Sequence, residues 1–201
     1  MERKTPLYQT HVDAGGKIVE FGGFLMPVQY PTGVLAEHMA VRQKAGLFDV
    51  SHMGELRLKG PDAVANVQKL ITADISAMQD GDIKYAMFCN DAGGILDDFI
   101  VYRCAADDYW LVVNAGNRDK DAAWVESHLF GDVDYRDEGD DWGQVALQGP
   151  TSGDILKKLC AEQYIPAKYY TFIDNVPLDL GSRTIHALVS QTGYTGEYGF
   201  E

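Results

Sequence analysis

The sequence has few of the residue types that build metal or redox centres. Only three cysteines occur among 201 residues, Cys89, Cys104 and Cys160, and none of them forms a CxxC pair. The five histidines are scattered without the HxxxH or HExxH spacing of zinc sites. We therefore expect no metal site, and we expect reduced thiols in a reducing compartment.

Basic residues are also scarce. Lys and Arg number 17 against 30 Asp and Glu, which gives a formal net charge of -13. This field repels polyanions, so neither nucleic acid nor an anionic membrane surface is expected as a partner. The sequence has no apolar run of bilayer length and no apolar leader. We expect a cytoplasmic protein, or a mitochondrial matrix protein if a transit peptide has been removed.

Two familiar catalytic patterns are missing as well. The glycines at 193, 196 and 199 form neither the dinucleotide fingerprint nor a Walker loop, because no GK[ST] follows them. Ser51 and His52 are sequence neighbours, and neighbours on a strand point to opposite faces. A nucleotide loop and a serine nucleophile are both disfavoured.

The clearest structural pattern runs from Gly54 to Arg136. It predicts the order strand, helix, three strands, helix, strand, which indicates a ferredoxin-like α+β sheet with one added strand. The first of its helices places Val64, Val67 and Ile71 on one face.

Outside this segment the pattern is weaker. We predict a short helix after Thr5, a strand at 17–21, a loop at 22–33, and three meandering strands between Tyr169 and Val189.

The segment GGILDDFIVYR carries two adjacent carboxylates inside an apolar strand. The period of two places Asp98, Ile100 and Tyr102 on one face and Asp97 on the other. The next strand can bring Val112 and Asn114 alongside. A carboxylate, a phenol and an amide above an apolar floor suit a flat, nitrogen-rich heterocycle.

A plainer interpretation remains open for the two aspartates. They can simply start the strand after a turn and stay solvated. Strand alternation by itself does not decide between these interpretations.

Several longer motifs occur in order along the chain: TPLYQTHVDAGGKIVEFGGFLMPVQY, AVRQKAGLFDVSHMGELRLKGPDA, GGILDDFIVYR, LVVNAGNRDKD, ALQGP and TGYTGEYGFE. Together they closely resemble the T-proteins of the glycine cleavage system, a family of folate-dependent aminomethyltransferases. ALQGP is unspecific alone, whereas the ordered combination is highly specific. The resemblance extends from Thr5 to Glu201.

The resemblance implies an α+β fold, the folate-binding T-protein fold with an inserted ferredoxin-like domain. Residues 1–53 and 140–201 would form the first, discontinuous folate-binding domain, and residues 54–139 the inserted one. The family's C-terminal barrel domain would be absent from these 201 residues. We therefore expect this chain to be the N-terminal portion of a longer enzyme, and full activity is not expected of it alone.

The family reaction moves an aminomethyl group from the lipoyl arm of H-protein to tetrahydrofolate and releases ammonia. By resemblance, lipoylated H-protein is the expected partner and tetrahydrofolate the co-substrate. Two alternatives stay open: a folate-dependent demethylase of a related methylated substrate, and a non-catalytic folate-binding module.

The resemblance also assigns roles to residues. Asp98 matches the essential aspartate that hydrogen-bonds the pterin and orders the reacting nitrogen, and positioning is its safer role because an ordinary carboxylate is a weak base. Glu201 matches the glutamate that holds the pterin edge. The remaining cofactor-binding candidates are Tyr102, Tyr85, Tyr194, Val112, Asn114 and Met53.

Overall fold

The computed structural model describes residues 2–201, which divide by their internal contacts into two units. The first unit comprises residues 2–50 together with Gln144–Glu201, and the second comprises Ser51–Gly143. The second unit is therefore inserted into the chain of the first. At the insertion point, the backbone N–H of Val50 donates to the carbonyl of Gln144 over 3.0 Å.

Within residues 2–201, five α-helices and twelve strands make up most of the regular structure. The helices are α1 (Tyr8–Asp13), α2 (Val34–Gln43), α3 (Ala63–Leu70), α4 (Arg118–Ser127) and α5 (Ser152–Leu156). The strands are β1 (Ile18–Phe21), β2 (Phe24–Pro27), β3 (Gly46–Asp49), β4 (Gly54–Lys59), β5 (Ile83–Cys89), β6 (Ile95–Ala105), β7 (Asp108–Val113), β8 (Asp134–Asp137), β9 (Val145–Gln148), β10 (Phe172–Asp179), β11 (Thr184–Ser190) and β12 (Gly199–Phe200).

The second unit is built on one five-stranded sheet with the order β5-β6-β7-β4-β8. Every pair of neighbours is antiparallel. The strands β4 and β6 therefore run parallel to each other with β7 between them, and α3 lies on the connection from one to the other. This is the split βαβ arrangement of a ferredoxin-like fold, with β5 as an additional edge strand. The predicted sheet is confirmed.

The core of this unit lies between the sheet and its two helices. Phe88 and Phe99 are almost fully buried, and their ring centroids are 4.1 Å apart. The helix α3 contributes Val67, which is fully buried, and Ile71 is buried just after its end. Val64 was predicted on the same face but is 38% exposed. The buried face instead begins at Ala63, the first residue of α3, so the prediction was wrong for Val64 and right for Val67 and Ile71.

The first unit begins with a structure that the sequence pattern missed. The strands β1 and β2 pair as an antiparallel hairpin, with Phe21 opposite Phe24. Gly22 and Gly23 connect them with φ values of 59° and 87°. Positive φ at both central residues is the requirement of a tight type I′ turn. The prediction of a loop at 22–33 was therefore wrong for 24–27, which form β2, although Gly-Gly between apolar residues was a usable hairpin signal.

A buried hydrogen-bond chain joins α1 to β3 in the same unit. The Nε2 atom of His11 lies 2.8 Å from the carboxylate of Asp49, and Nδ1 lies 2.7 Å from the hydroxyl of Tyr30. Thr5 donates its hydroxyl to the same carboxylate over 2.7 Å. His11 thus holds the N-terminal helix in place.

The rest of the first unit is a three-stranded sheet and a long hairpin. The sheet has the order β12-β9-β3, and β10 pairs with β11. Two predicted strands in the region of β10 are one continuous strand with an irregularity between Ile173 and Val176. Asn175, at that irregularity, has a φ of 56°. Asparagine tolerates this left-handed conformation better than most residues, so the strand continues through the bulge.

Candidate functional site

The strand β6 separates its side chains cleanly between the two faces of the sheet. Phe99 and Val101 point into the core beneath the helices, and both are at most 4% exposed. Asp98 and Ile100 lie on the opposite face and are half-buried. We refer to this second face, which carries Asp98, Ile100 and Val112, as the Asp98 face.

The strand register defines the neighbours on the Asp98 face. Tyr85 of β5 lies opposite Ile100, which lies opposite Val112 of β7. Asp98 lies opposite Met87. Directly paired residues of antiparallel strands share a face, so these side chains form an apolar row beside the Asp98 carboxylate.

Asp98 is held by one of the predicted aromatic residues. The hydroxyl of Tyr85 donates to the Oδ2 atom of Asp98 over 2.7 Å. Tyr85 is 48% exposed. A hydrogen bond from a phenol to a carboxylate is charge-assisted, and it fixes the direction of the remaining carboxylate lone pairs. The pair thus presents a fixed acceptor at an accessible position.

The other predicted residues of the second unit differ in what they can offer to a ligand. Tyr102 and Val112 are 3% and 6% exposed, so they form the floor of the Asp98 face. Met53 is half-buried and precedes β4 directly. The Nδ2 group of Asn114 donates to Asp97 over 3.1 Å and to the backbone carbonyl of Asp98 over 2.6 Å. Both amide hydrogens of Asn114 are therefore used inside the protein.

Glu201 and Tyr194 belong to the first unit. The backbone of Glu201 pairs with Ser190 through two hydrogen bonds of 2.8 and 3.0 Å. Its side chain accepts a hydrogen bond from the hydroxyl of Thr192. Burial raises the pKa of Glu201, and the Thr192 hydroxyl opposes that rise. Tyr194 is 99% exposed.

One acidic residue near this site was not predicted. Glu55 of β4 lies opposite Val112, so it shares the Asp98 face, and it is only 5% exposed. Among residues 2–201, no group donates a hydrogen bond to its Oε2 atom. Burial raises the pKa of Glu55 to about 8, against an opposing attraction from Arg118. Repulsion from Asp137, Asp140 and Glu138 adds to the rise.

Replacing Glu55 by glutamine is expected to make the second unit less sensitive to pH. In the unfolded chain a glutamate ionises near its ordinary pKa of 4.5, whereas folded Glu55 keeps its proton up to about pH 8. Between these values the unfolded state releases a proton that the folded state retains, so stability falls as pH rises. Glutamine resembles the protonated acid, so Glu55→Gln should stabilise the fold by on the order of 2 kcal/mol at pH 8.5 and by little at pH 4.5.

Urea unfolding followed by tryptophan fluorescence measures this difference, because all three tryptophans, at 110, 124 and 142, belong to the second unit. Glu126→Gln is the matched control, since Glu126 is exposed on α4. If the two substitutions change the free energy of unfolding equally at both pH values, Glu55 ionises normally.

Clusters of metal ligands and membrane-spanning helices are both missing from the described part of the chain. Within residues 2–201, no three His, Cys, Asp or Glu side chains lie close enough together to hold a metal ion. No helix in the same range is both long enough and apolar enough to cross a membrane.

Comparison with known proteins bears directly on the sequence resemblance. The family model described as the GCVT N-terminal domain matches residues 7–201. The chain belongs to this family. An aminomethyltransferase of Desulfitobacterium hafniense is 48% identical to this chain over 204 residues, which cover 99% of the chain and 53% of that protein. The predicted membership is confirmed.

Solved structures agree with this assignment. Glycine cleavage system aminomethyltransferase T from Bartonella henselae matches with a TM-score of 0.85 at 34% identity, and the match covers 100% of this chain and 53% of that one. Heterotetrameric sarcosine oxidase from Corynebacterium matches with a TM-score of 0.58 at 16% identity, over 83% of this chain and 80% of that one, which shows a shared fold alone. The predicted T-protein fold is confirmed. The chain spans about half the length of the curated relatives it matches.

Proposed function

We propose that this chain binds tetrahydrofolate on the Asp98 face and acts in transfer of an aminomethyl group from lipoylated H-protein to tetrahydrofolate, with release of ammonia. The observation that carries the proposal is the fixed Asp98–Tyr85 pair beside an apolar floor, in a chain of the GCVT N-terminal domain family. The bacterial origin of the matched relatives supports a cytoplasmic location.

The residues present fit a reduced pterin. A pterin is flat and carries several N–H groups, which need acceptors, and the Asp98 carboxylate supplies them. Ile100 and Val112 offer an apolar surface of the kind on which a ring packs. We propose the side-chain oxygen of Asn114 as a second acceptor, since the Nδ2 group of the same amide contacts the backbone carbonyl of Asp98. Tyr102 and Met53 complete the proposed lining.

Tetrahydrofolate supplies the ring nitrogen that receives the one-carbon group. The protein's part is to orient that nitrogen, which converts an encounter of two reactants into a reaction within one complex. Asp98 is suited to this because its position is fixed twice, by Tyr85 at the carboxylate and by Asn114 at the backbone. In the first unit, we propose that Glu201 and Tyr194 are pterin contacts, as the family resemblance implies.

Calorimetric titration of the 201-residue chain with tetrahydrofolate, under anaerobic reducing conditions, tests the proposal. We expect a Kd of roughly 0.1 mM, equivalent to about 5.5 kcal/mol of binding free energy. Tyr85→Phe removes the phenol donor and should weaken binding about fivefold, which corresponds to the loss of about 1 kcal/mol from one hydrogen bond.

The matched control ligand is p-aminobenzoylglutamate, which shares the tail of folate but lacks the pterin. It should not bind measurably. Equal affinity for both compounds, or no tetrahydrofolate binding at millimolar concentration, would contradict pterin recognition by the chain.

A further inference from the structure

A buried glutamine lies at the end of β9, the central strand of the three-stranded sheet. Gln148 is fully buried, so its side-chain amide has no access to water. A buried amide needs partners within the protein for its two hydrogens and for its oxygen. All of these partners come from residues 192–200, which we call the 192–200 segment.

The amide of Gln148 is bonded to the two ends and to the middle of this segment. Its Nε2 group donates to the carbonyl of Thr192 over 3.0 Å and to the carbonyl of Phe200 over 3.3 Å. Its Oε1 atom accepts a hydrogen bond from the hydroxyl of Thr195 over 2.9 Å. Because carbonyl oxygens only accept hydrogen bonds, the nitrogen must face Thr192 and Phe200, and the orientation of the amide is determined.

Two glycines let the backbone of the segment approach this amide closely. A Cβ atom at Gly193 would overlap the Oε1 atom of Gln148, and a Cβ atom at Gly199 would overlap its Nε2 atom. The segment therefore fits around a glutamine side chain with no room for side chains of its own at these two positions.

The segment carries Tyr194 and leads directly into Glu201, the two proposed pterin contacts of the first unit. The carbonyl of Phe200, which immediately precedes Glu201, is held by Gln148. The Glu201 carboxylate accepts a hydrogen bond from the hydroxyl of Thr192, whose carbonyl is held by the same amide nitrogen. The amide of Gln148 thus supports both the backbone and the carboxylate of Glu201.

We propose that Gln148 is a positioning residue for pterin binding: its amide fixes the 192–200 segment and thereby the direction of the Glu201 carboxylate. This inference rests on the proposed function. Gln148 is fully buried, so it acts through the residues that it holds. An acceptor that is already fixed loses less conformational freedom on binding than a mobile one, and it therefore binds more tightly.

The first experiment needs no folate and compares two backbone amides of the first unit by NMR hydrogen exchange. The N–H of Ser190 donates to the carbonyl of Glu201 over 2.8 Å and reports on the end of the 192–200 segment. The N–H of Val50 donates to the carbonyl of Gln144 over 3.0 Å and reports on the pairing of β3 with β9. We expect Gln148→Met to accelerate exchange at Ser190 by about tenfold relative to Val50.

Thr195→Val is a milder variant that keeps the test available if the Gln148→Met chain does not fold. It removes the hydroxyl that donates to Gln148, and by the same comparison it should accelerate exchange by about threefold. Gln163→Met and Thr184→Val are the matched controls, since both positions are exposed. Neither control should change the ratio of the two exchange rates.

Two results would overturn the positioning role of Gln148. One is a ratio of exchange rates that stays at the wild-type value in both variants. The other is equal acceleration at Ser190 and Val50, which would show that Gln148 stabilises the sheet as a whole and does not act on the segment in particular.

The second experiment measures tetrahydrofolate affinity by calorimetry, at a temperature where far-ultraviolet circular dichroism shows each chain to be folded. We expect the Kd to rise about tenfold in Gln148→Met and about threefold in Thr195→Val. Wild-type affinity in both variants would overturn the link between Gln148 and pterin binding. If the wild-type chain binds no tetrahydrofolate although exchange at Ser190 behaves as expected, the proposed function fails and the role of Gln148 in holding the segment stands.

Discussion

Under the proposed function, Asp98→Asn is expected to lower the rate of tetrahydrofolate-dependent ammonia release by about 100-fold, measured as kcat/KM with aminomethyl-loaded H-protein. Asparagine keeps the size of the side chain but replaces one acceptor oxygen by an NH2 group. Pterin N–H groups would then face a donor, and the hydrogen bond from Tyr85 would lose its charged partner. Because positioning serves both binding and reaction, we expect KM to rise and kcat to fall.

Asp91→Asn provides the matched control for this substitution. Asp91 lies in the exposed turn of the same β5–β6 hairpin. Asp91→Asn should leave the rate of ammonia release within about twofold of the wild-type rate. If the Asp98→Asn chain releases ammonia at the same rate as this control, Asp98 does not belong to the site. A change in kcat alone would favour proton transfer over positioning.

Gly149→Ala is expected to destabilise the first unit by about 3 kcal/mol or more. Gly149 follows β9 and has a φ of 128°, a conformation that strains any residue with a side chain. A Cβ atom there would lie 2.5 Å from the carbonyl oxygen of Lys44 and 2.7 Å from the Cα of Ala45. Both contacts involve backbone atoms, so no side-chain rotation can relieve them.

Gly181→Ala separates the strain of the backbone angle from the steric clash. Gly181 has a φ of 80°, and a Cβ atom at this residue would have no other atom within 4 Å. The substitution should cost only about 1 kcal/mol, the ordinary penalty of a left-handed alanine. Urea unfolding followed by far-ultraviolet circular dichroism is the suitable measurement, because the tryptophans do not lie in this unit. If the two substitutions lower the free energy of unfolding equally, the backbone around Gly149 moves enough to accommodate the methyl group.

The five-stranded sheet of the inserted unit was predictable because neighbouring residues along the chain define its strands and turns. Alternation along β6 sends Phe99 and Val101 to the core and leaves Asp98 and Ile100 on the other face, as the period of two requires. The turn after β5 is marked by two glycines and an asparagine, so the strands between turns can be counted. A strict period and clear turn residues were enough to predict the order of elements.

The burial of acidic residues could not be predicted in the same way. Glu55 occupies the polar position of an alternating strand, a pattern typical of a solvated side chain, yet it is 5% exposed. Asp121 lies in the polar first turn of α4, where an acid is ordinarily explained by the helix dipole. Both are buried by residues distant in sequence. Local patterns contain no information about such contacts, so these residues emerged only from the folded structure.

The three-stranded sheet of the first unit was harder to predict because its strands are short and lie far apart in sequence. The pairing of β3 with β9 joins residues separated by the whole inserted unit, and β12 has only two residues. Gly46 has the sequence character of a residue that ends a helix, yet it begins β3. A four-residue strand with few apolar alternations gives little periodic signal.

The hydrogen bond between Val50 and Gln144 has a consequence for the order of folding. Pairing β3 with β9 from an unfolded chain requires closing a loop of ~90 residues, at an entropic cost of about 4 kcal/mol. Once the inserted sheet has formed, its two chain ends are already held near each other, and that cost no longer opposes the pairing of β3 with β9. The contacts of the five-stranded sheet itself span shorter stretches of chain. The inserted unit should therefore fold first and so assist the pairing of β3 with β9.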